Sequence, residues 1–377
     1  MKVYYWSPHT SYVATIKAVY NSALSLKKYK SQNIIVKIIN ANGEWDSFIN
    51  KGISLVNLNK NCLFQTYPRV GYFFSRFSYV YVFLKCFFPL KKLLRTEKPD
   101  YLLIHLITLL PIVLLLFFKF ETKFILRISG YPKLNFFRKL IWKLVSKKIH
   151  LVTAPTLLTL NYIKSQNIFD EKKIMFLPDP VYQIREIANQ KNELVEEYID
   201  KNKKYIISIG RLTKQKNFSL LIKAFYEIKK INDQFKLIII GEGEDKKYLE
   251  SLILNLNLQN DIMLLGFKKN VFKYIKLSNL VLSTSLWEDP GFFLIESGIL
   301  NKPIISSDCP NGPVELLSYG LGGYLFKNNQ LNSLIETFKK FTFESETEIK
   351  DKIYFSKKKF RQFSIFSHYE ILKNIIK

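Results

Sequence analysis

Two hydrophobic patterns alternate along almost the whole chain, and this alternation limits the possible folds more than any other feature. Short runs rich in β-branched and aromatic residues are separated by segments with the apolar spacing of an amphipathic helix. Strand–helix–strand alternation of this kind predicts parallel sheets with helices on both faces. An apolar fraction of 48% against 23% charged residues supports a large core and argues against wholesale disorder.

The alternation falls into two series, which predict two doubly wound, Rossmann-like domains facing across a cleft. In the first series the strands are predicted at 3–6, 34–39, 102–106, 124–128, 151–154 and 174–177. In the second they are predicted at 205–209, 237–240, 262–265, 280–283 and 303–306. The polar segment 185–204 separates the series, so we expect domains over 1–184 and 205–377 with a linker between them. For the last helix of the chain, packing against the first domain is the alternative to packing within the second.

The longest apolar stretch, YLLIHLITLLPIVLLLFF at 101–118, is near the lower length limit for a membrane span. A histidine, a threonine and a proline interrupt it, which argues against one smooth helix. We interpret it as a strand at 102–106 followed by a buried helix from about residue 110, with membrane insertion as the alternative. The apolar run at the N-terminus is too short for a signal peptide.

Metal and disulfide chemistry have little support in the sequence. The three cysteines, Cys62, Cys86 and Cys309, are too far apart for a disulfide framework or a zinc site, which fits a reducing compartment. The four histidines form no pair at metal-ligand spacing. An Asp-x-Asp dyad that would hold a metal–diphosphate complex is lacking, so we expect no cofactor and no required divalent ion.

The charge is strongly basic and unevenly spread. The net charge is +26, and residues 1–190 carry 28 Lys and Arg against 9 Asp and Glu. This half combines basic and aromatic residues at 67–98 and in a helical pattern at 134–148. An anionic membrane surface fits best, because no nucleic-acid-binding module is recognisable; nucleic acid is therefore not expected as a partner. A core helix with a solvated lysine face is the alternative.

The segment SIGRLTKQKN at 208–217 lies between a predicted strand and a predicted helix. Gly210 allows a tight strand exit, and Arg211 and Lys216 follow on the loop. Two cations beside a helix N-terminus suit a diphosphate, and Asn217 is a candidate N-cap of that helix. A basic surface loop is the alternative.

The segment WEDPGFFLIE at 287–296 follows the predicted strand 280–283. Gly291 would expose backbone N–H groups at the start of a helix, with Glu296 about one turn into it. The carboxylates of Glu288 and Glu296 can accept hydrogen bonds from sugar hydroxyls, while the helix end meets a phosphate. A glutamate pair satisfied by local lysines is the alternative.

Two further loops follow predicted strands of the second series. The segment GEGE at 241–244 does not complete a dinucleotide-binding G-x-G-x-x-G motif, because residue 246 is lysine. It predicts a tight strand-to-helix turn and no nicotinamide cofactor. The segment DCPNGPVE at 308–315 predicts a rigid loop at the same edge.

Taken in order over roughly 205–326, the four motifs resemble the family 4 retaining glycosyltransferases of the GT-B fold, most closely bacterial surface-polysaccharide enzymes. The resemblance implies that Arg211 and Lys216 bind the donor diphosphate, with Glu288 on the transferred sugar. It also implies that Gly210 and the backbone N–H groups of Gly291 and Phe292 approach the donor, and that Glu296 binds the ribose. Glu288, Arg211 and Lys216 are then the catalytic group, and no metal is required.

The resemblance further implies a nucleotide-sugar donor, a lipid-linked glycan acceptor and a peripheral position at the cytoplasmic face of the membrane. The first half matches the family only loosely. The loop at 7–13 lacks the family's glycine pair, and Ser129-Gly130 stands where a His-Gly pair is common. His105, at the end of its predicted strand, and Ser129 are the candidate acceptor-side residues, with an ordinary packed histidine as the alternative for His105. A non-catalytic nucleotide- or glycan-binding protein on the same scaffold is the alternative function.

Overall fold

The computed structural model describes residues 1–9, 14–30, 33–48, 52–59, 72–130, 132 and 134–377, with side chains of the second helix described from 79 onward. The chain divides into two compact units. Unit 1 comprises Met1–Val181 and Ile365–Lys377, and unit 2 comprises Tyr182–Ser364. Cys62, the loop residues 10–13 and the basic–aromatic residues 67–71 lie outside the described part.

Within the described residues, unit 1 is built on seven parallel strands in the order β3-β2-β1-β4-β5-β6-β7. The strands are β1 (Lys2–Trp6), β2 (Ile35–Asn40), β3 (Ser54–Asn57), β4 (Tyr101–Ile104), β5 (Lys123–Arg127), β6 (Leu151–Ala154) and β7 (Ile174–Phe176). The helices described in this unit are α1 (Ala14–Tyr29), α2 (Tyr72–Thr96), α3 (Leu109–Phe117), α4 (Phe136–Val145), α5 (Leu157–Ser165) and the last helix of the chain, α14 (Ile365–Ile375).

The apolar stretch 101–118 forms part of the core of unit 1. It contributes the fully buried strand β4 and then α3, whose Leu110, Ile112 and Leu114 pack into the main hydrophobic cluster. The interpretation as a strand followed by a buried helix is confirmed. Among the helices that the structure describes, none is both long and apolar enough to cross a membrane.

Unit 2 is built on six parallel strands in the order β10-β9-β8-β11-β12-β13. They are β8 (Lys204–Ile209), β9 (Phe235–Ile240), β10 (Ile262–Leu264), β11 (Leu280–Ser283), β12 (Ile304–Ser307) and β13 (Tyr324–Phe326). The helices are α6 (Ile184–Gln190), α7 (Phe218–Ile231), α8 (Lys246–Asn255), α9 (Phe272–Leu277), α10 (Phe292–Ile299), α11 (Pro313–Leu316), α12 (Leu331–Phe343) and α13 (Glu346–Phe360). The predicted doubly wound parallel sheets are thus both present.

The segment predicted as a linker, 185–204, lies in unit 2 and begins within helix α6. Its acidic side chains bind the residues before and within α9: Glu197 pairs with Lys268 at 2.5 Å, and Glu196 pairs with Lys273 at 2.7 Å. The hydroxyl of Tyr274 donates to Glu197 at 2.6 Å. These contacts hold the segment against α9 of unit 2.

Helix α14 belongs to unit 1 although it is distant from it in sequence. His368 Nε2 lies 2.8 Å from Ser22 Oγ of α1, and its Nδ1 lies 2.6 Å from the carbonyl oxygen of Pro178. Burial lowers the pKa of His368 to about 3, so the ring is neutral at physiological pH. The buried Leu372 and Ile376 complete the contact with the second apolar cluster of unit 1.

Candidate functional site

The four motifs of the second half lie at one edge of the six-stranded sheet. The loops 210–217, 241–245, 284–291 and 308–312 follow β8, β9, β11 and β12, which are consecutive neighbours in the sheet. Because all strands are parallel, their carboxyl ends meet at the same edge, where open α/β sheets bind ligands.

An ion pair joins the two motifs that carry the predicted site residues. Lys216 Nζ donates to Oε1 of Glu288, and Ser285 Oγ donates to the same oxygen at 2.6 Å. The side chains of Lys216 and Glu288 are only 19% and 10% exposed. In the described part of the chain, no group donates to the second carboxylate oxygen of Glu288, so one oxygen is committed to the protein and the other can accept from a ligand.

The structure therefore joins two interpretations of Glu288 that the sequence kept apart. Glu288 forms an ion pair with a lysine, as predicted by the alternative interpretation in which local lysines neutralise the glutamates. That lysine is Lys216, which is itself the predicted phosphate-binding residue and comes from the loop of a different strand. A lysine held against a carboxylate at a part-buried site keeps a defined position before any ligand arrives.

Backbone hydrogen bonds hold the two loops together around this ion pair. The Leu286 N–H donates to the carbonyl oxygen of Gln215 at 2.8 Å, and the Gln215 side chain donates to the carbonyl oxygen of Trp287 at 2.9 Å. Thr284 Oγ1 donates to the carbonyl oxygens of Lys216 and Asn217. These supporting residues were not predicted from the sequence; for Thr284, the polar run Ser283-Thr284-Ser285 at the end of β11 was the available signal.

Glycines let these loops approach each other. A Cβ added at Gly210 would lie 2.9 Å from Cε of Lys216, because the lysine side chain lies over this residue. A Cβ at Gly241 would lie 1.8 Å from the carbonyl oxygen of Gly210, and Gly241 also has φ +150°. The GEGE segment is thus a turn of close backbone approach that supports the loop of Lys216.

Arg211 and Asn217 occupy the remaining polar positions of the first loop. Arg211 is exposed and forms no ion pair with any residue that the structure describes. Asn217 occupies the N-cap position of α7, as predicted, but it does not make the capping hydrogen bond expected there. Its backbone is left-handed at φ 51°, and its side chain donates to Asn329 at 3.0 Å and makes no capping bond to α7.

Helix α10 starts as the sequence predicts. Gly291 precedes it in the left-handed region at φ +105°, and Phe292 is its first residue. The first N–H groups of a helix have no intrahelical acceptor and carry its positive end. Glu296 lies one turn into the helix and is buried.

The last loop of this edge is structural. Asp308 accepts from the backbone N–H of Asn328 at 2.7 Å, and Ser307 Oγ donates to the carbonyl oxygen of Ser285 at 2.5 Å. A Cβ at Gly312 would lie 2.1 Å from the carbonyl oxygen of Pro290. The loop therefore supports the segment that contains Glu288, as its predicted rigidity implied.

In unit 1, the two candidate acceptor-side residues line one cavity of about 560 Å³. His105 follows β4 and Ser129 follows β5, which are neighbouring strands. Burial, with the nearby charge of Arg127, holds the pKa of His105 well below its usual range, so its imidazole is neutral. Among the described residues, no group of three or more His, Cys, Asp or Glu is placed to hold a metal ion.

Comparison with protein families matches residues 189–355 to the model described as "Glycosyl transferases group 1". This range contains all four loops of the unit 2 site. We refer to residues 189–355, which this family model matches, as the group 1 domain.

Two curated relatives extend the likeness of the group 1 domain. An uncharacterized glycosyltransferase of Methanocaldococcus jannaschii is 36% identical over 251 residues, which cover 62% of this chain and 62% of that protein. The N-acetylgalactosamine-N,N'-diacetylbacillosaminyl-diphospho-undecaprenol 4-alpha-N-acetylgalactosaminyltransferase of Campylobacter jejuni is 33% identical over 159 residues, 42% of each chain. The chain thus spans less than two thirds of either relative.

The solved structure of Anabaena HepE in complex with UDP matches over 99% of both chains, with a TM-score of 0.72 and 14% identity. At this identity the match shows the fold alone. The predicted GT-B fold, with two Rossmann-like parallel-sheet domains, is confirmed.

The close contact between Gly241 and Gly210 allows a test of whether the turn after β9 supports the loop 210–217. Gly241→Ala should destabilise unit 2, since its Cβ meets the Gly210 backbone in addition to an unfavourable φ. Gly320→Ala is the matched control: it has φ +99° but no atom within 4 Å of the added Cβ, so it should cost only the strain of about 1–3 kcal/mol. The measurement is urea unfolding of both variants, and equal destabilisation would contradict the packing argument.

Proposed function

We propose that this chain is a retaining, metal-independent glycosyltransferase of the family 4 type. It transfers a sugar from a UDP-sugar to a lipid-linked acceptor in surface-polysaccharide synthesis, at the cytoplasmic face of a membrane. The observation that carries the proposal is the Lys216–Glu288 ion pair at the carboxyl edge of the group 1 domain. In this pair, a cation suited to a diphosphate lies beside a carboxylate that has one oxygen still open to a sugar hydroxyl.

The ion pair explains how one site can serve both ends of the bond that breaks. As a nucleotide sugar is cleaved, the sugar gains positive charge and the diphosphate gains negative charge. Lys216 and Arg211 stabilise the diphosphate, with the N-terminus of α10 as a third positive element. The second oxygen of Glu288 accepts from a hydroxyl of the transferred sugar. These three positive groups would supply the charge that a divalent ion would otherwise supply.

The nucleoside occupies the remaining part of the edge in this proposal. Glu296, one turn into α10, accepts from the ribose hydroxyls, and the backbone at Gly210, Gly291 and Phe292 approaches the donor. UDP is bound by HepE, which shares the fold over its whole length. We therefore assign UDP as the nucleotide of this chain's donor.

Binding of UDP tests the two cations. Lys216→Ala and Arg211→Ala should each weaken UDP binding about tenfold or more, because each charge-assisted contact contributes about 1.5–3 kcal/mol. Lys216→Ala should lose more, since it also leaves the part-buried Glu288 carboxylate without its cation. The measurement is isothermal titration calorimetry. The exposed Lys214 of the same loop is the matched control, and Lys214→Ala should stay within about twofold.

Turnover tests the reaction and the role of Glu288. Glu288→Gln should keep or strengthen UDP binding, because it removes a negative charge beside Lys216, yet lower sugar transfer at least tenfold. Transfer by the native chain should persist with excess chelator, and the anomeric configuration of the donor should be retained, as measured by NMR. Loss of activity with chelator that magnesium restores would contradict metal independence. UDP binding without any turnover or donor hydrolysis would identify a non-catalytic binding protein.

The lipid-linked acceptor is supported by a surface of unit 1 and by one relative. The name of the Campylobacter relative specifies a diphospho-undecaprenol substrate. In this chain, helices α2, α3 and α4 are neighbours and expose large apolar side chains. We call this the α2–α4 surface; its most exposed members are Leu84, Phe88, Phe117, Phe136 and Phe137, each at least 67% exposed.

Charge around the α2–α4 surface suits an anionic bilayer. The three helices carry no Asp or Glu, and their exposed cations include Lys85, Lys92, Arg95, Lys139 and Lys143. An apolar surface with a basic border binds a membrane through insertion and charge together. We propose peripheral docking through this surface, with each cation contributing about 1 kcal/mol near acidic lipid.

Liposome co-sedimentation tests the docking. Binding should require acidic lipid and weaken as salt rises, because the charge term is screened beyond about 8–10 Å. Phe136→Ser should reduce partitioning roughly tenfold, because an inserted phenyl group is lost. Phe343→Ser in unit 2 is the matched control, since that side chain is at least as exposed (88% against 73% for Phe136), and should have no effect. Equal binding to neutral lipid, or none to either, would contradict this mode of docking.

A further inference from the structure

Trp287 is the one large apolar residue that is exposed in the four loops of the unit 2 site, all of which the structure describes; it is 48% exposed. The other three tryptophans of the chain, Trp6, Trp45 and Trp142, are at most 5% exposed. The indoles of Trp6 and Trp45 donate to backbone carbonyl oxygens. Within the described residues, the Trp287 indole neither donates a hydrogen bond nor stacks on another ring. It is an apolar surface left open beside the polar groups of the site.

The backbone that carries Trp287 is held on both sides. The Gln215 side chain donates to the carbonyl oxygen of Trp287 at 2.9 Å, and the Leu286 N–H donates to the carbonyl oxygen of Gln215 at 2.8 Å. On the other side, the Glu288 N–H donates to the carbonyl oxygen of Pro310 at 3.3 Å. Three consecutive residues are thus tied to the loops after β8 and β12. A side chain on a backbone held in this way loses little further freedom when a ligand binds.

Glu288, the next residue, marks the sugar end of the proposed site. Consecutive Cα atoms lie about 3.8 Å apart, so the indole starts one residue from the carboxylate whose second oxygen is open to a ligand. A hexopyranose ring carries hydroxyl groups around its rim and C–H groups on its faces. The rim suits a carboxylate acceptor, and a C–H face suits the flat, apolar surface of an indole. Glu288 and Trp287 together offer both kinds of contact to one sugar.

The order of groups in a nucleotide sugar separates Trp287 from the base. The sugar is joined to the diphosphate, the diphosphate to the ribose, and the ribose to uracil. In the proposed site Glu288 receives the sugar, Lys216 the diphosphate and Glu296 the ribose. Uracil, whose flat face also stacks on aromatic rings, then lies at the opposite end of the donor from Trp287. The sugar is therefore the group within reach of the indole.

We propose that Trp287 is a specificity-determining residue whose indole packs against a C–H face of the transferred sugar. The inference rests on the proposed transfer from a UDP-sugar, and it adds the residue that recognises the sugar other than through its hydroxyl groups. Because the backbone on both sides is held before a ligand arrives, the ring has a defined position. The site then favours a neutral hexopyranose that presents one face to Trp287 and a hydroxyl group to Glu288.

Fluorescence quenching tests the contact directly, because Trp287 is the only tryptophan that a neutral quencher in water reaches readily. Acrylamide quenching is measured on the native chain alone, with saturating UDP, and with each of UDP-glucose, UDP-galactose, UDP-N-acetylglucosamine and UDP-N-acetylgalactosamine. The best-bound UDP-sugar should lower the quenching constant about twofold, since a stacked sugar covers one face of the ring. UDP alone should leave it unchanged. Trp287→Phe should remove most of the quenching in every sample, which verifies its source.

Affinity tests the same contact without fluorescence. By isothermal titration calorimetry, Trp287→Leu should weaken binding of that UDP-sugar about threefold to tenfold, the range of aromatic stacking, and leave UDP within about twofold. Trp287→Phe keeps an aromatic ring and should retain most of the affinity. Tyr354→Leu is the matched control, because Tyr354 is an aromatic residue of α13 in the same unit that is 67% exposed. It should change neither affinity.

Each outcome decides the proposal. Shielding by the UDP-sugar but not by UDP, with a loss in Trp287→Leu confined to the UDP-sugar, supports it. Equal shielding by UDP means that the indole covers the uridine part of the donor, and overturns it. Unchanged quenching with a bound UDP-sugar, an equal loss in Tyr354→Leu, or UDP binding without binding of any of the four UDP-sugars also overturns it.

UDP binding by the native chain separates this inference from the proposed function. If UDP binds and depends on Lys216 while the Trp287 tests fail, the donor assignment stands and only the sugar contact is lost. If neither UDP nor any UDP-sugar binds, the proposed donor chemistry fails, and the role of Trp287 fails with it.

Discussion

The ion pair between Lys216 and Glu288 is the interaction on which the site of unit 2 depends. It joins the loops after β8 and β11, and the hydrogen bonds of Gln215, Thr284 and Ser285 gather around it. A cation and a carboxylate that neutralise each other offset part of the free-energy cost of removing each from water, whereas either charge alone would bear that cost in full. The position of the remaining loops follows, because Gly241 and Gly312 allow backbone to approach within contact distance of these two loops.

The carboxyl edge of the unit 1 sheet differs from that of unit 2 in its polar groups. At the ends of β4 and β5, the side chains of His105 and Ser129 have no hydrogen-bond partner among the described residues, and both line a cavity whose other walls are mostly apolar. In unit 2 the side chains of Lys216 and Glu288 neutralise each other, whereas this cavity keeps polar atoms that a ligand or a water molecule can satisfy.

Much of the fold could be read from the sequence, because buried parallel strands are continuous apolar runs and the helices between them are amphipathic. The short edge strands β3 and β13 were not predicted, although β7 and β10, which are as short and also lie at sheet edges, were. The residue types and their order along the chain also indicated Lys216, Glu288 and Gly291 as candidate site residues. Asn217 was predicted correctly as the N-cap residue of α7, but its left-handed backbone and the missing capping bond were not, because side-chain chemistry alone does not fix backbone conformation.

By itself, the sequence determined the two parallel sheets, the loops that carry chemistry and the residues on those loops, since these follow from local patterns and from the rule that strand ends share an edge. Only the tertiary structure decided which residues meet. The pairing of Lys216 with Glu288 spans 72 positions, and the cavity that unites His105 with the apolar α2–α4 surface draws on three helices and two strand ends. Such contacts depend on how separate segments pack, which no local pattern encodes.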